Sequence, residues 1–251
     1  MLTEMSDFPS YAPLKIVPSF SKEVLGVAAS DLFPYSHEDL ITFNGDSSIH
    51  DQHKLLTNFL NLDSYNVNRK LPDGSQIQGH YQSFRSLNLT YLPDYPDSRQ
   101  NQFYYTPEKK LGAYLFIEDG AWQWRDDLNI KPFITFVDSL GFTNIHLVRL
   151  VYLSPPAVGG VHIDTSPSSM QKYYVRGGVS MTFNLRSAGS SLHFIKNNKI
   201  YSIPPELSAW HFDPSVPHSV GFVNSQRIQL RIFGEMPKER YLENLDMESA
   251  V

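Results

Sequence analysis

The chain has 251 residues, 41% of them hydrophobic and 19% charged, with a formal net charge of −5 at pH 7. These proportions suit one globular domain with a sizeable core, and the negative balance counts against a nucleic-acid substrate, whose binding rests on neutralising phosphates. There is no cysteine, which excludes disulfide scaffolds, thiolate metal sites and cysteine nucleophiles.

In chain order, the start from Met1 to Asp7 lacks the basic and apolar regions of a signal peptide. No apolar run approaches the roughly 20 residues of a membrane helix, so a cytoplasmic protein without membrane contact is expected. Residues 50–60 carry apolar side chains at helical spacing, with Asp51 as a possible N-cap. His50 and His53 lie near its first turn and, without an accompanying carboxylate pattern, are assigned to the surface. Residues 63–110 are polar, tyrosine-rich and broken by Pro72, Gly74, Pro93, Pro96 and Pro107. They read as loops and short strands, the kind of segment that forms lids and binding loops. Arg85, Phe103, Tyr104 and Tyr105 are there within reach of a substrate, although structural roles are the commoner use of such residues. A second helix follows. Asp126 or Asp127 caps it, Pro132 suits its first turn, Phe133, Phe136, Val137 and Leu140 form its apolar stripe, and Gly141 ends it. The stripe is expected to pack on the outside of a β-core.

From 143 to 235 the pattern changes to strands with short turns. Residues 145–153 read as one strand. Residues 179–185 alternate, with Val179, Met181, Phe183 and Leu185 toward a core and Ser180, Thr182 and Asn184 on the opposite face. Asn197 and Asn198 join two short apolar strands as a hairpin. Residues 227–233 alternate again: Arg227, Gln229 and Arg231 share one face, and Ile228, Leu230 and Ile232 share the other. Regularly spaced strands of this kind build a jelly-roll-like barrel. The charged tail from Pro237 reads as a terminal helix. Docking on the core, pairing of subunits and simple solvation are all open to it, solvation being the commonest.

The chemistry concentrates in this region. His162 and Asp164 lie in the run Gly159-Gly160-Val161-His162-Ile163-Asp164-Thr165, and His218 follows 56 residues after His162. Two histidines and a carboxylate on one face of an octahedral ion form the facial triad of non-haem Fe(II) oxygenases, with three positions open. On a strand, residues i and i+2 share a face, so His162 and Asp164 would line a cavity together. A solvated strand face explains the pair alone equally well. Arg227 comes nine residues after His218, where a guanidinium fork can bind a carboxylate. Ser180, Thr182 and Asn184 offer hydroxyl and amide groups to the same acid. A strand with its polar face in water is the plainer reading of those three.

These segments resemble the 2-oxoglutarate and Fe(II)-dependent oxygenase superfamily over about residues 143–235. The strand at 145–153, the Pro/Gly-rich turn at 154–160 before His162-x-Asp164, and the segment 210–220 around His218 carry the resemblance. The last is similar to the aspartyl/asparaginyl β-hydroxylase-like branch, many members of which lack the carboxylate after the first histidine. The resemblance implies a mainly β fold with flanking helices and a double-stranded β-helix (jelly-roll, cupin-like) core at 143–235, decorated by residues 1–142 within one domain. It implies iron held by His162, Asp164 and His218, with 2-oxoglutarate and O2 as cosubstrates and Arg227 on the distal carboxylate of 2-oxoglutarate. The superfamily's usual gap of about ten residues from histidine to arginine favours Arg227 over Arg231. The substrate implied is an amino acid, an amino-acid derivative or a peptidyl side chain. Two other readings use the same residues: a cupin-like metal-binding or structural protein without turnover, and a metal-dependent hydrolase or isomerase in which Arg227 has no required role. The sequence leaves the oligomeric state open.

Overall fold

The computed structural model describes residues 8–16, 59, 66–70, 76–80, 84–93, 122–153, 161, 163–165, 167–186, 191–220 and 227–251. His162, the turn at 154–160, the expected helix at 50–60 apart from Phe59, and most of 63–110, including Phe103, Tyr104 and Tyr105, lie outside them, as does the side chain of Arg85.

Two sheets form the centre. The larger contains β1 (Tyr11–Pro13), β4 (Phe84–Asn88), β7 (Asn144–Leu153), β8 (Gly178–Arg186), β11 (Ala209–Phe212) and β13 (Arg227–Glu235), in the order β1-β11-β8-β13-β7-β4. The smaller contains β9 (Leu192–Lys196), β10 (Lys199–Ile203) and β12 (His218–Val220), in the order β10-β9-β12. This is a double-stranded β-helix: β7, β8, β11 and β13 make one wall, and β9, β10 and β12 belong to the other. Two short antiparallel pairs lie outside the two walls, β2 (Asn66–Lys70) with β3 (Gln76–His80), and β5 (Thr90–Tyr91) with β6 (Gln123–Trp124). The edge strand β1 ends in Pro13, which an edge tolerates because one side of the strand needs no ladder donor.

Alternation sorts the side chains of the large sheet. Ile228, Leu230 and Ile232 of β13 join Val148, Leu150, Val179, Met181 and Phe183 in an outer core. Helix α1 (Lys131–Ser139) covers that core with Phe133 and Val137, both fully buried. Each such side chain contributes about 1.5–3 kcal/mol. Pro132 lies in the first turn, and Gly141, at φ 81°, takes the left-handed position just past the helix end. The expected aspartate cap is not made. Ile130 is the N-cap, and Asp127 instead accepts from Arg125 Nε at 2.8 Å and Nη2 at 2.5 Å, which commits its carboxylate elsewhere.

The inner face of the large sheet looks toward the small one. Leu153, Trp210 and Phe212 from the large sheet meet Leu192, Phe194, Ile203 and Val220 from the small one in a second core. Asn197 and Asn198, at φ 50° and 58°, turn the β9–β10 hairpin as a two-residue loop with both positions left-handed. Helix α2 (Pro167–Val175) lies against the large sheet. Its Met170, Tyr173 and Tyr174 pack on Leu147 and Phe233.

The tail is docked, not solvated. In α3 (Lys238–Glu243) Tyr241 is fully buried, as is Leu245 beyond it. The Val251 carbonyl accepts from Ser10 N at 2.7 Å, and Asp246 N donates to Pro13 O at 2.8 Å. Apolar anchors at 241 and 245 supply the docking energy that the charged composition conceals.

Candidate metal and anion site

Ile163 lies in no strand and Asp164 and Thr165 form a bend, whereas the strand expected at 162–164 begins at His162, outside the described residues. Among the described residues a backbone bond, Asp164 N to Pro214 O at 2.9 Å, holds that bend, with Val161 and Thr165 buried on either side. That bond ties the Asp164 bend to the loop before His218. The loop is itself stiffened by Asp213 Oδ1, which accepts from Ser215 N at 2.8 Å and Ser215 Oγ at 2.6 Å.

The result brings Asp164 and His218 together. Asp164 Oδ2 lies 3.8 Å from His218 Nε2, with both side chains largely buried. Two metal–ligand bonds of about 2.1 Å can span that separation. His218 Nδ1 is 2.9 Å from Val216 O. A carbonyl oxygen can only accept, so Nδ1 carries a proton and Nε2 is the ring nitrogen on the Asp164 side, the one an ion would take from the neutral ring. The edge of Phe212 fixes the ring at 4.9 Å between centroids. An anionic oxygen and an oriented neutral imidazole are the donors a divalent first-row ion takes. Among the described residues these are the two placed members of the expected triad.

The inner face of the sheet supplies cations. Arg231 on β13 lies directly opposite Arg149 on β7 and Thr182 on β8, and Asn88 on β4 lies opposite Arg149. Arg231 Nη1 is 3.6 Å from Asp164 Oδ2. Burial, then the neighbouring Arg231 charge, pushes Arg149 down to about 10, with Asp164 opposing. Burial also lowers Arg231, again against the pull of Asp164.

Arg227 stands at the other end of β13, opposite Leu153, and is only 3% exposed. With its amide turned so that the oxygen faces Arg227, Gln229 accepts from Arg227 Nη2 at 2.5 Å and Nε at 2.9 Å, in place of the bond its Nε2 otherwise donates to Asn184 Oδ1 at 3.0 Å. Burial, then Arg231, pushes Arg227 down to about 9. Its charge joins burial in lowering His193 on β9, so it lies toward the small sheet.

The three polar residues of β8 divide. Ser180 Oγ donates to Phe212 O at 2.9 Å, and Asn184 Nδ2 donates to Pro205 O at 3.1 Å and Leu207 O at 2.6 Å. Both stitch β8 to its surroundings. Thr182 is the one that shares the row of Arg231 and Arg149. Arg149 and Gln229 were not singled out from sequence. The available signal was an arginine inside the otherwise apolar run Leu147-Val148-Arg149-Leu150-Val151.

No family model and no curated protein matches the sequence. Among solved structures, the chain is similar to a prolyl hydroxylase from Trichoplax adhaerens in complex with a hypoxia inducible factor peptide fragment, at 14% identity and TM-score 0.34, over 88% of this chain and 92% of that one. It is similar to a 2OG-Fe(II) oxygenase family protein from Burkholderia pseudomallei at 11% identity and TM-score 0.39, over 86% and 100%. It is also similar to an RmlC-like cupin from Shewanella frigidimarina at 12% identity and TM-score 0.22, over 37% and 68%. At such scores the fold and the site stand on the chain's own sheet order and residues.

Proposed function

We propose that the chain is a non-haem Fe(II) and 2-oxoglutarate-dependent dioxygenase that hydroxylates an amino acid, an amino-acid derivative or a peptidyl side chain. The observation that carries this reading is the approach of Asp164 to His218 at 3.8 Å, over a sheet face lined with buried arginines. His162, two residues before Asp164, is the third ligand of the proposal, as the resemblance implies. When bound, the ion and cosubstrate supply the oxidation: 2-oxoglutarate and O2 go to succinate and CO2 while one substrate C–H becomes C–OH.

The protein's own groups have definable tasks. Val216 O holds the His218 tautomer. The Pro214–Asp164 backbone bond holds the carboxylate beside it. Arg227, braced by Gln229, is proposed to bind the distal carboxylate of 2-oxoglutarate. A guanidinium has five N–H donors in a fixed fork, of which Gln229 takes two. Leu153, Val220 and Phe212 pack together in the apolar core between the two sheets. Likeness of 210–220 to the aspartyl/asparaginyl β-hydroxylase-like branch supports an amino-acid substrate, and a cytoplasmic location accords with the cysteine-free sequence.

The test is consumption of 2-oxoglutarate. Purified chain with Fe(II), 2-oxoglutarate and O2 should form succinate at a slow basal rate, and substitution of Asp164 or His218 by Ala should abolish it. Succinate formation that survives both substitutions would defeat the proposal.

A further inference from the structure

We infer that Arg231 is a positioning residue for the metal ligand Asp164. It shares the ligand oxygen with the ion, and so sets how tightly the ion is held before 2-oxoglutarate binds. This rests on the metal site proposed above and deepens it.

The shared atom is the first ground. Asp164 Oδ2 lies 3.8 Å from His218 Nε2 and 3.6 Å from Arg231 Nη1. The oxygen turned toward the imidazole is therefore the oxygen turned toward the guanidinium. Two elements place it. The bond from Asp164 N to Pro214 O fixes the main chain, and Arg231 draws the side chain toward the inner face of β13. β13 is paired on both sides, with Arg231 directly opposite Arg149 on β7 and Thr182 on β8, so the cation stands on a fixed wall. Asp164 acts as a favourable charge on both arginines.

Stability alone is a weak reason for this contact. It lies beyond hydrogen-bond distance, and its two side chains are 16% and 10% exposed. An ion pair taken out of water offsets its desolvation only with good geometry. The Arg231 charge also bears unfavourably on Arg149 and on Arg227. Its favourable effect falls on the carboxylate that faces His218.

Distance sets the size of the effect on an ion. A metal–oxygen bond of about 2.1 Å keeps an ion on Oδ2 within about 6 Å of Arg231 Nη1 at any angle. Even at the dielectric of water, a doubly charged ion and a unit charge about 6 Å apart repel enough to lower a binding constant about tenfold, and burial enlarges the effect. Arg231 thus aligns Asp164 with His218 and at the same time loosens the ion. An acid that brings negative charge to the ion offsets the guanidinium, so ion and 2-oxoglutarate tighten each other by the same factor in either order.

The experiment is titration of the full chain with Mn(II), a redox-stable divalent ion that accepts carboxylate donors. The free ion is followed by electron paramagnetic resonance, with and without 2-oxoglutarate. The wild-type chain should bind one Mn(II), more tightly when 2-oxoglutarate is present. Arg231→Gln and Arg231→Met, two neutral replacements, should each bind Mn(II) about tenfold or more tighter than wild type without 2-oxoglutarate, and gain less from adding it. Arg231→Lys, which keeps the charge and is the gentler change for folding, should stay near wild type. The sign is diagnostic, because loss of a merely structural residue loosens a site. Neutral variants with unchanged far-ultraviolet circular dichroism that bind Mn(II) no more tightly than wild type would overturn the inference. So would an Arg231→Lys chain as tight as the neutral ones. Wild-type Mn(II) binding that ignores 2-oxoglutarate, with the neutral variants tightened, would overturn the oxygenase reading and uphold the role of Arg231.

Discussion

Replacing Arg227 by Ala should produce two separable losses. The guanidinium belongs to a residue 3% exposed and, with the Gln229 amide oxygen turned toward it, donates twice to that oxygen; Gln229 is itself 1% exposed. Truncation leaves that oxygen without those two donors, which should cost the metal-free protein about 1–3 kcal/mol of stability. The second loss concerns 2-oxoglutarate. Removing one partner of a buried, hydrogen-bonded charge pair costs about 2–5 kcal/mol of binding, which corresponds to a Kd raised by about 30-fold to about 4,000-fold. The environment favours a large effect. Burial and the Arg231 charge push Arg227 down to about 9, so its cation is held at a cost that a bound carboxylate relieves. Arg227→Lys should fall between, because it keeps charge and loses the fork. Urea denaturation reads the first loss, and anaerobic 2-oxoglutarate titration of the Fe(II)-loaded protein reads the second. Arg231→Ala should raise the 2-oxoglutarate requirement much less. The reverse ranking would refute the assignment and place the cosubstrate beside Asp164.

Three further outcomes test the scaffold. The Tyr241 hydroxyl lies 2.6 Å from Ser180 O and 2.7 Å from His211 Nδ1, so Tyr241→Phe deprives both at once and should cost about 1–3 kcal/mol in urea. His211 is fully buried and its pKa is lowered by burial, against Asp213 and the carbonyls of Ser180 and Pro9. The unfolded chain therefore takes up that proton more readily, and stability should be complete above about pH 6.5 and fall as pH drops below it. Urea midpoints at pH 7.5 and 5.5 should show a loss that shrinks in His211→Gln. A Cβ at Gly234 would meet Asn144 O at 2.5 Å and a Phe142 ring carbon at 2.8 Å, so Gly234→Ala should destabilise by about 1–3 kcal/mol, read by thermal melting.

Alternation made the barrel legible. The periods of 179–185 and 227–233 sort every outer-core side chain of β8 and β13 correctly, because a sheet covered on both faces leaves each residue one side or the other. The hairpin at Asn197-Asn198 was legible because both positions need a left-handed backbone that asparagine tolerates. The tail was not: Tyr241 and Leu245 are two anchors in a charged segment, too few to set a period. Helix α2 escaped for a related reason. Met170, Tyr173 and Tyr174 mark only one apolar edge, and the helix begins right after the Asp164 bend. At the site, the spacing singled out Asp164 and His218, which the structure brings within 3.8 Å, but not the way they meet. A backbone bond from Asp164 to Pro214 makes that approach, and such tertiary bonds leave no trace in local sequence. Arg149 illustrates the same limit, since its pairing with Arg231 depends on strand register.

The central claim is that His162, Asp164 and His218 hold one iron. Anaerobic Fe(II) titration in the presence of 2-oxoglutarate, followed by the weak visible charge-transfer band of the chelated keto acid, tests it most directly. The wild-type chain should bind one ion per chain and develop the band. His162→Ala, Asp164→Ala and His218→Ala should each lose stoichiometric binding while far-ultraviolet circular dichroism stays unchanged. A His162→Ala chain that binds Fe(II) with unaltered affinity would contradict the account.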